Sequence, residues 1–254
     1  GSIRSRGGDA GGYGSGGGSG GRIAVRGSRA DEVTWNVDAA GGKGGVAGST
    51  YDPGEQGGGG TVSLYDPTQA RSALQVGGPA AVPTLDRGVT PIEVPLTLSR
   101  LKIADAYVRV GQTVRQPISV ETLPELQGKC ALVAGSMTFP VSGLTSFSVP
   151  QGVRLDLASL PSHAGLDWNV SGQLLVQERL EGRSLSLRGL LSAGELSFSD
   201  DVHLLTGSTM THSSVSIRGL SVSAGGDFTL DAGASVNLVG VGYLGGYIYN
   251  DNLG

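Results

Sequence analysis

Leu185-Ser186-Leu187-Arg188-Gly189 returns as Val215-Ser216-Ile217-Arg218-Gly219, a period of about 30 residues, within the range of stacked repeats. The flanks follow with slips of one or two positions. Ser192-Ala193-Gly194 is answered by Ser223-Ala224-Gly225, and Leu196-Ser197-Phe198 by Phe228-Thr229-Leu230. Inside each copy apolar residues alternate with Ser, Thr or Arg. That period of two belongs to a strand with one buried face, because successive side chains point to opposite sides. A stripe this short cannot bury itself, so copies must stack on one another to make a core. The expected arrangement has Leu, Val, Ile and Phe inward and Ser, Thr and Arg outward.

Towards the N-terminus the same logic continues with more glycine. Gly1-Ser2-Ile3-Arg4-Ser5 is similar to Gly21-Arg22-Ile23-Ala24-Val25 and to Gly60-Thr61-Val62-Ser63-Leu64. The two intervals, Gly1 to Gly21 and Gly21 to Gly60, read as one and two units of a single period. Between them lie Gly7-Gly8, Gly11-Gly12, Gly41-Gly42 and Gly44-Gly45, and residues 1–60 hold 22 of the 45 glycines. Glycine supplies the positive φ of a sharp corner, and a corner stacked on a corner leaves little room for a Cβ. Every proline falls between Pro53 and Pro161. Strands are expected within this middle stretch at Ala106–Val110 and Pro117–Val120, and one helical turn at Thr122–Gln127, with Pro124 near its start.

These patterns predict an all-β chain, a parallel β-helix (β-solenoid), right-handed by the general rule for parallel crossovers. At about 25 residues per turn the chain makes about ten turns, and at about 4.8 Å per turn the rod is about 50 Å long. Three zones follow: glycine-rich rungs over 1–65, irregular proline-bearing rungs or an inserted β module over 66–135, and regular rungs over 136–254. Gly1-Ser2-Ile3 and Asn252-Leu253-Gly254 both read as interior to a repeat, so the expectation is a segment of a longer chain.

Composition removes several function classes. The net charge is −4, and the 18 basic residues, 15 of them Arg, are scattered. A nucleic-acid footprint needs a clustered basic face. Cys130, the single cysteine, sits in the apolar run Cys130-Ala131-Leu132-Val133-Ala134. It reads as a buried, inert thiol, and one thiol supports neither a disulfide framework nor a cysteine zinc site. Few cysteines in a long chain fit a bacterial exported protein that does not rely on disulfides. No apolar run reaches the ~18 residues of a membrane-spanning helix.

Short motifs are present by spelling and fail by context. Gly16, Gly18 and Gly21 satisfy the dinucleotide spacing, and Gly17-Gly18-Ser19-Gly20-Gly21 the nucleophile-elbow spacing. Both need a helix next, whereas Arg22-Ile23-Ala24-Val25 reads as strand. Lys43 among glycines is followed by Gly44 rather than by the Ser or Thr of a phosphate loop. His163, His203 and His212 have no metal-ligand spacing and read as surface or corner residues. Asp227–Asp231 and Asn250-Asp251-Asn252 read as solvated turns. Tyr243, Tyr247 and Tyr249 cluster near the end, as local packing or as an adhesive patch. The one constellation with catalytic chemistry is Asp200, Asp201, His203 and Arg218. Two carboxylates on a β-helix face can act as general acid and base on a glycosidic bond, and an Arg can hold a uronate. Two aspartates at a turn are also ordinary.

The runs Gly16-Gly17-Gly18-Ser19-Gly20-Gly21-Arg22-Ile23 and Gly240-Val241-Gly242-Tyr243-Leu244-Gly245-Gly246 resemble glycine-rich β-helix segments of very large bacterial surface, adhesin-like proteins. The resemblance implies export to the cell surface, a rod-like stalk, and contact with surface glycans, matrix or other cells. It carries no catalytic residue and no cofactor. The expectation is thus a structural or adhesive segment, partnered by other parts of the same long chain or by itself through its end rungs. A polysaccharide-acting enzyme using Asp200 and Asp201 is the alternative.

Overall fold

A computed structural model describes residues 2–12, 17–30, 36–45, 57, 59–77, 89–111, 113–160, 163–212 and 219–239. Among them the chain is all-β, and its 25 strands fall into five sheets. The largest holds ten strands, running from Ser235–Val236 through Thr209–Thr211, Leu190–Ser192, Gln173–Val176, Val153–Ser159, Cys130–Thr138 and Ile118–Val120 to Leu96–Leu98, with Tyr107–Val110 and Val89–Ile92 joined to it. A second sheet runs Ser146–Val149, Asp167–Val170, Ser184–Leu187, Val202–Leu204, Phe228–Leu230, and a third runs Arg179–Gly182, Glu195–Phe198, Ser221–Ala224. Neighbours in all three are parallel, so from Asp167 onward the chain visits the second, large and third sheets in rotation. The fourth sheet, Glu125–Gln127, Arg100–Ala104, Arg71–Gly77, Thr61–Asp66 and Arg22–Arg26, holds the antiparallel hairpin Thr61–Asp66/Arg71–Gly77.

The alternation read from Leu185–Leu187 holds: Leu185 and Leu187 are buried, and Ser184 and Ser186 lie half-exposed on the other face. The expected period does not. In the second sheet Phe147 stands beside Trp168, Trp168 beside Leu185, Leu185 beside Val202 and Val202 beside Phe228. The steps are uneven, and those from Trp168 to Leu185 and from Leu185 to Val202 are little more than half the expected length. Leu196 likewise pairs with Val222 rather than with Phe228. Many passes carry the same alternation, so non-adjacent passes match in sequence as well as adjacent ones do. The true neighbour of Leu185–Leu187 on the C-terminal side, the short Val202-His203-Leu204, is a weaker match than Val215–Ile217. Val215–Arg218 falls outside the described residues.

In the glycine-rich zone the interval from Gly21 to Gly60 is a real register, with Arg22 beside Thr61 and Ile23 beside Val62. The interval from Gly1 to Gly21 is not, because Ser2–Arg4 pairs with Asn36–Asp38. The glycines between are not corners. None described before Gly77 has positive φ. They link extended segments in series instead: Gly57 N–H donates to Gly42 C=O (3.0 Å), Gly42 to Gly18 (2.7 Å) and Gly18 to Gly8 (2.8 Å). Gly7 and Ala10 donate to Ala40 and Lys43. Donors and acceptors alike recur at every third position, the step of a polyproline-II-like chain. A Cβ on Gly42 would sit on the Gly8 carbonyl, and one on Gly17 on the Gly42 carbonyl.

Among the described glycines positive φ begins at Gly77, and one set of positive-φ residues forms a stacked corner. Asp105 (φ 47°) lies against Gly128 (φ 68°), which lies against Gly152 (φ 87°). In the middle stretch Glu125–Gln127 is a strand paired with Lys102–Ala104, which corrects the expected helical turn. The buried apolar residues of strands 89–120 join one cluster that extends from Leu74 to Met210. A smaller cluster of Ala30, Ala39, Val62, Leu64 and Ala73 serves the N-terminal part.

Candidate functional site

The outer edge of the second sheet carries the acidic constellation read from sequence. Asp167, Ser184, Asp201 and Asp227 occupy successive passes at this edge. Arg183 binds both Asp167 carboxylate oxygens, and Ser184 Oγ donates to Asp167 Oδ1 at 2.7 Å. The Arg183 hydrogen bond holds the Asp167 carboxyl below its ordinary range, and Asp167 raises Arg183, with Asp200 adding its charge. Asp201 is exposed, and its Oδ1 accepts the Asp227 N–H at 2.8 Å. His203 Nε2 pairs with Asp231 Oδ1 at 2.8 Å, which lowers the Asp231 carboxyl. Asp201 and Asp231 therefore fasten one pass of chain to the next. Arg218 lies outside the described residues, as do Tyr243, Tyr247, Tyr249, Gly16 and Asn250–Asn252.

The other two histidines differ from expectation. His163 and His212 are buried, not at the surface. His163 packs 5.1 Å from Phe139 and 6.1 Å from Trp168, within a row that also includes Phe147. His212 continues the inward set begun by Met210. Among the described residues no group of three or more His, Cys, Asp and Glu could hold a metal ion, and no helix is long and apolar enough to cross a membrane.

Sequence reasoning missed a groove of about 540 Å³ on the outer face of the large sheet. Its floor is one register column: Tyr107 beside Ala131, Ala131 beside Arg154, Arg154 beside Gln173 and Gln173 beside Leu190. Its rim is the line of corners entering those strands, with Lys129, Gln151 and Ser171 next to Gly152, Gly172 and Gly189. Gly172 and Gly189 do not have positive φ. They are glycine because the backbone of the neighbouring pass occupies the Cβ position, the Gly172 carbonyl in the case of Gly189. Cys130 lies at the groove, but the residue is buried and burial pushes its thiol up to about 12, consistent with the inert thiol read from sequence.

The groove's charge is organised by Asp156. Arg115 Nη1 donates to its Oδ1 at 2.7 Å and Arg154 Nη2 to its Oδ2 at 3.0 Å. Two guanidinium groups on one carboxylate leave a net positive centre beside the groove, of which Arg154 is the part that lines it, and Arg154 Nε has no hydrogen-bond partner. The legible signal was a glycine or Gly-Xaa just before a strand, as in Gly128-Lys129-Cys130, Gly152-Val153, Gly172-Gln173 and Gly189-Leu190. Their irregular spacing hid the column.

Compared with known proteins, the chain matches no family model, no curated protein and no solved structure.

Proposed function

We propose that this chain is a structural and adhesive segment of a large exported bacterial surface protein, working as a stiff β-solenoid stalk that displays its flanks. The observation that carries the reading is the last described pass. Val222, Phe228, Leu230 and Val236 stand in register with Leu196, Val202, Leu204 and Met210. The earlier four are buried, each 0% exposed, while the later four are 36–45% exposed. Among the described residues the core column thus ends in apolar side chains and unpaired parallel strands, a surface that one more pass would cover. Further rungs of the same long chain, or a second copy meeting it end to end, are the partners this end fits. The flanks are polar, and they are the part of a rod that meets surface glycans or matrix.

Cryo-electron microscopy of the intact, natively expressed protein tests this, together with antibody labelling of intact producing cells. The expected result is a rod with a repeat of about 4.8 Å along its axis, labelled at the cell exterior. A compact particle whose Phe228–Leu230 end faces solvent, or a protein confined to the cytoplasm, overturns it.

A further inference from the structure

We propose that the groove over Tyr107, Arg154 and Gln173 binds an extended anionic glycan, a polymer carrying carboxylate or sulfate groups. The inference names the ligand class for the display surface and rests on that reading of the flanks. Three observations carry it.

The groove is linear. Its floor is a single column crossing five adjacent parallel strands, so equivalent groups recur at about 4.8 Å. A straight chain of sugar rings has a comparable rise per residue and can meet a new rung with each ring. A folded protein partner would need a broader surface.

The groove is also held open by the fold. Side chains are excluded at Gly172 and Gly189 by the neighbouring backbone, and Ala131 is the shortest side chain the floor could carry. The open space results from backbone stacking and persists without ligand, as a preformed site requires.

The chemistry of the lining selects the ligand. Lys129 and Arg154 are its charged groups, and no Asp or Glu lines it, although acidic residues outnumber basic ones in the chain, 22 to 18. Arg154 is anchored by Asp156, so its guanidinium is oriented before ligand arrives. Gln151, Gln173, Ser171 and the Tyr107 hydroxyl supply hydrogen bonds suited to ring hydroxyls. The Tyr107 ring offers an apolar platform for a sugar face. Cations bind the ligand's acidic groups, amides its hydroxyls and the ring its C–H face.

The test uses the whole chain and isothermal titration with four probes: an oligogalacturonate, a sulfated oligosaccharide of similar length, a neutral xylo-oligosaccharide and polyglutamate. The expected result is saturable binding to one or both anionic oligosaccharides, with the two arms separating carboxylate from sulfate recognition. Binding of the neutral probe should be at least about tenfold weaker, as loss of charged hydrogen bonds implies. Lys129→Glu, at an exposed corner, should weaken binding about tenfold without altering the β-sheet circular dichroism. Gln173→Ala should weaken it without changing the salt dependence. Failure to bind either anionic oligosaccharide, equal binding of polyglutamate, or indifference to Lys129→Glu overturns the proposal. Rod shape and cell-surface labelling are separate measurements, so the stalk reading can survive this failure, and binding can survive the stalk's.

Discussion

Gly42 and Gly8 look interchangeable in the sequence, and their surroundings make them opposites. A Cβ on Gly42 meets the Gly8 carbonyl, whereas a Cβ on Gly8 meets nothing within 4 Å. Gly42→Ala should therefore cost about 1–3 kcal/mol through overpacking and break the series of bonds from Gly57 to Gly8, while Gly8→Ala should be close to neutral. Thermal unfolding of the two variants checks this, and equal midpoints would refute the close-packed glycine account. Acid sensitivity also belongs to single residues. Asp66, Asp167 and Asp231 all have folded-state carboxyls below the ordinary 3.8. Thr68 is the largest cause for Asp66, Arg183 for Asp167 and His203 for Asp231. A depressed folded-state pKa gives stability that is complete above the unfolded value and lost as pH falls through the folded one. The loss should thus come below about pH 4, and Asp167→Asn should flatten that acid limb slightly, as befits a half-exposed pair. An unchanged slope of stability between pH 5 and pH 2 would count against the Arg183 pairing.

Elements show where local pattern was sufficient and where it was not. The hairpin Thr61–Asp66/Arg71–Gly77 is closed by Asp66, wholly covered, whose carboxylate accepts from Thr68 N–H (2.7 Å), Thr68 Oγ1 (2.6 Å) and Arg29 N–H (2.7 Å). The tie from Asp66 to the distant Arg29 had no local sequence signal. The strand Glu125–Gln127 has helix-compatible residues and became a strand because Lys102–Ala104 offered a ladder, a tertiary choice overriding weak propensity. The aromatic row depends on one small residue. Gly182 would place a Cβ 2.6 Å from Trp168 Cδ1 and 2.8 Å from Phe198 Cε1. Trp168 is anchored by its Nε1–H to Glu181 C=O at 2.9 Å. Gly182→Ala should displace the indole, lower stability by about 1–3 kcal/mol, and shift Trp fluorescence. A wild-type emission spectrum and midpoint would show that the strand can yield.

For the whole molecule, the informative surface is the end. Phe228→Asp with Leu230→Asp should lower any concentration-dependent association seen by sedimentation while leaving the monomer folded, because both side chains are already part exposed. Association that survives both changes would place the contact elsewhere. The sequence by itself determined the strand character, the inward set of Leu, Val and Phe, and the near absence of helix, because alternation and side-chain size act locally. It also read Asp200-Asp201 as a turn, and they lie between the strands Glu195–Phe198 and Val202–Leu204, and it marked Cys130 as buried. Only the tertiary structure decided which passes are neighbours. Passes of similar chemistry match at any separation, and hydrogen bonding selects among them, at steps as short as Arg179 to Glu195 and as long as Arg22 to Thr61. That choice of register also gave glycine its role as a close contact rather than a corner in the N-terminal zone. The same register brought Tyr107, Arg154 and Gln173 into one column, a site built from positions on separate passes that no local pattern could join.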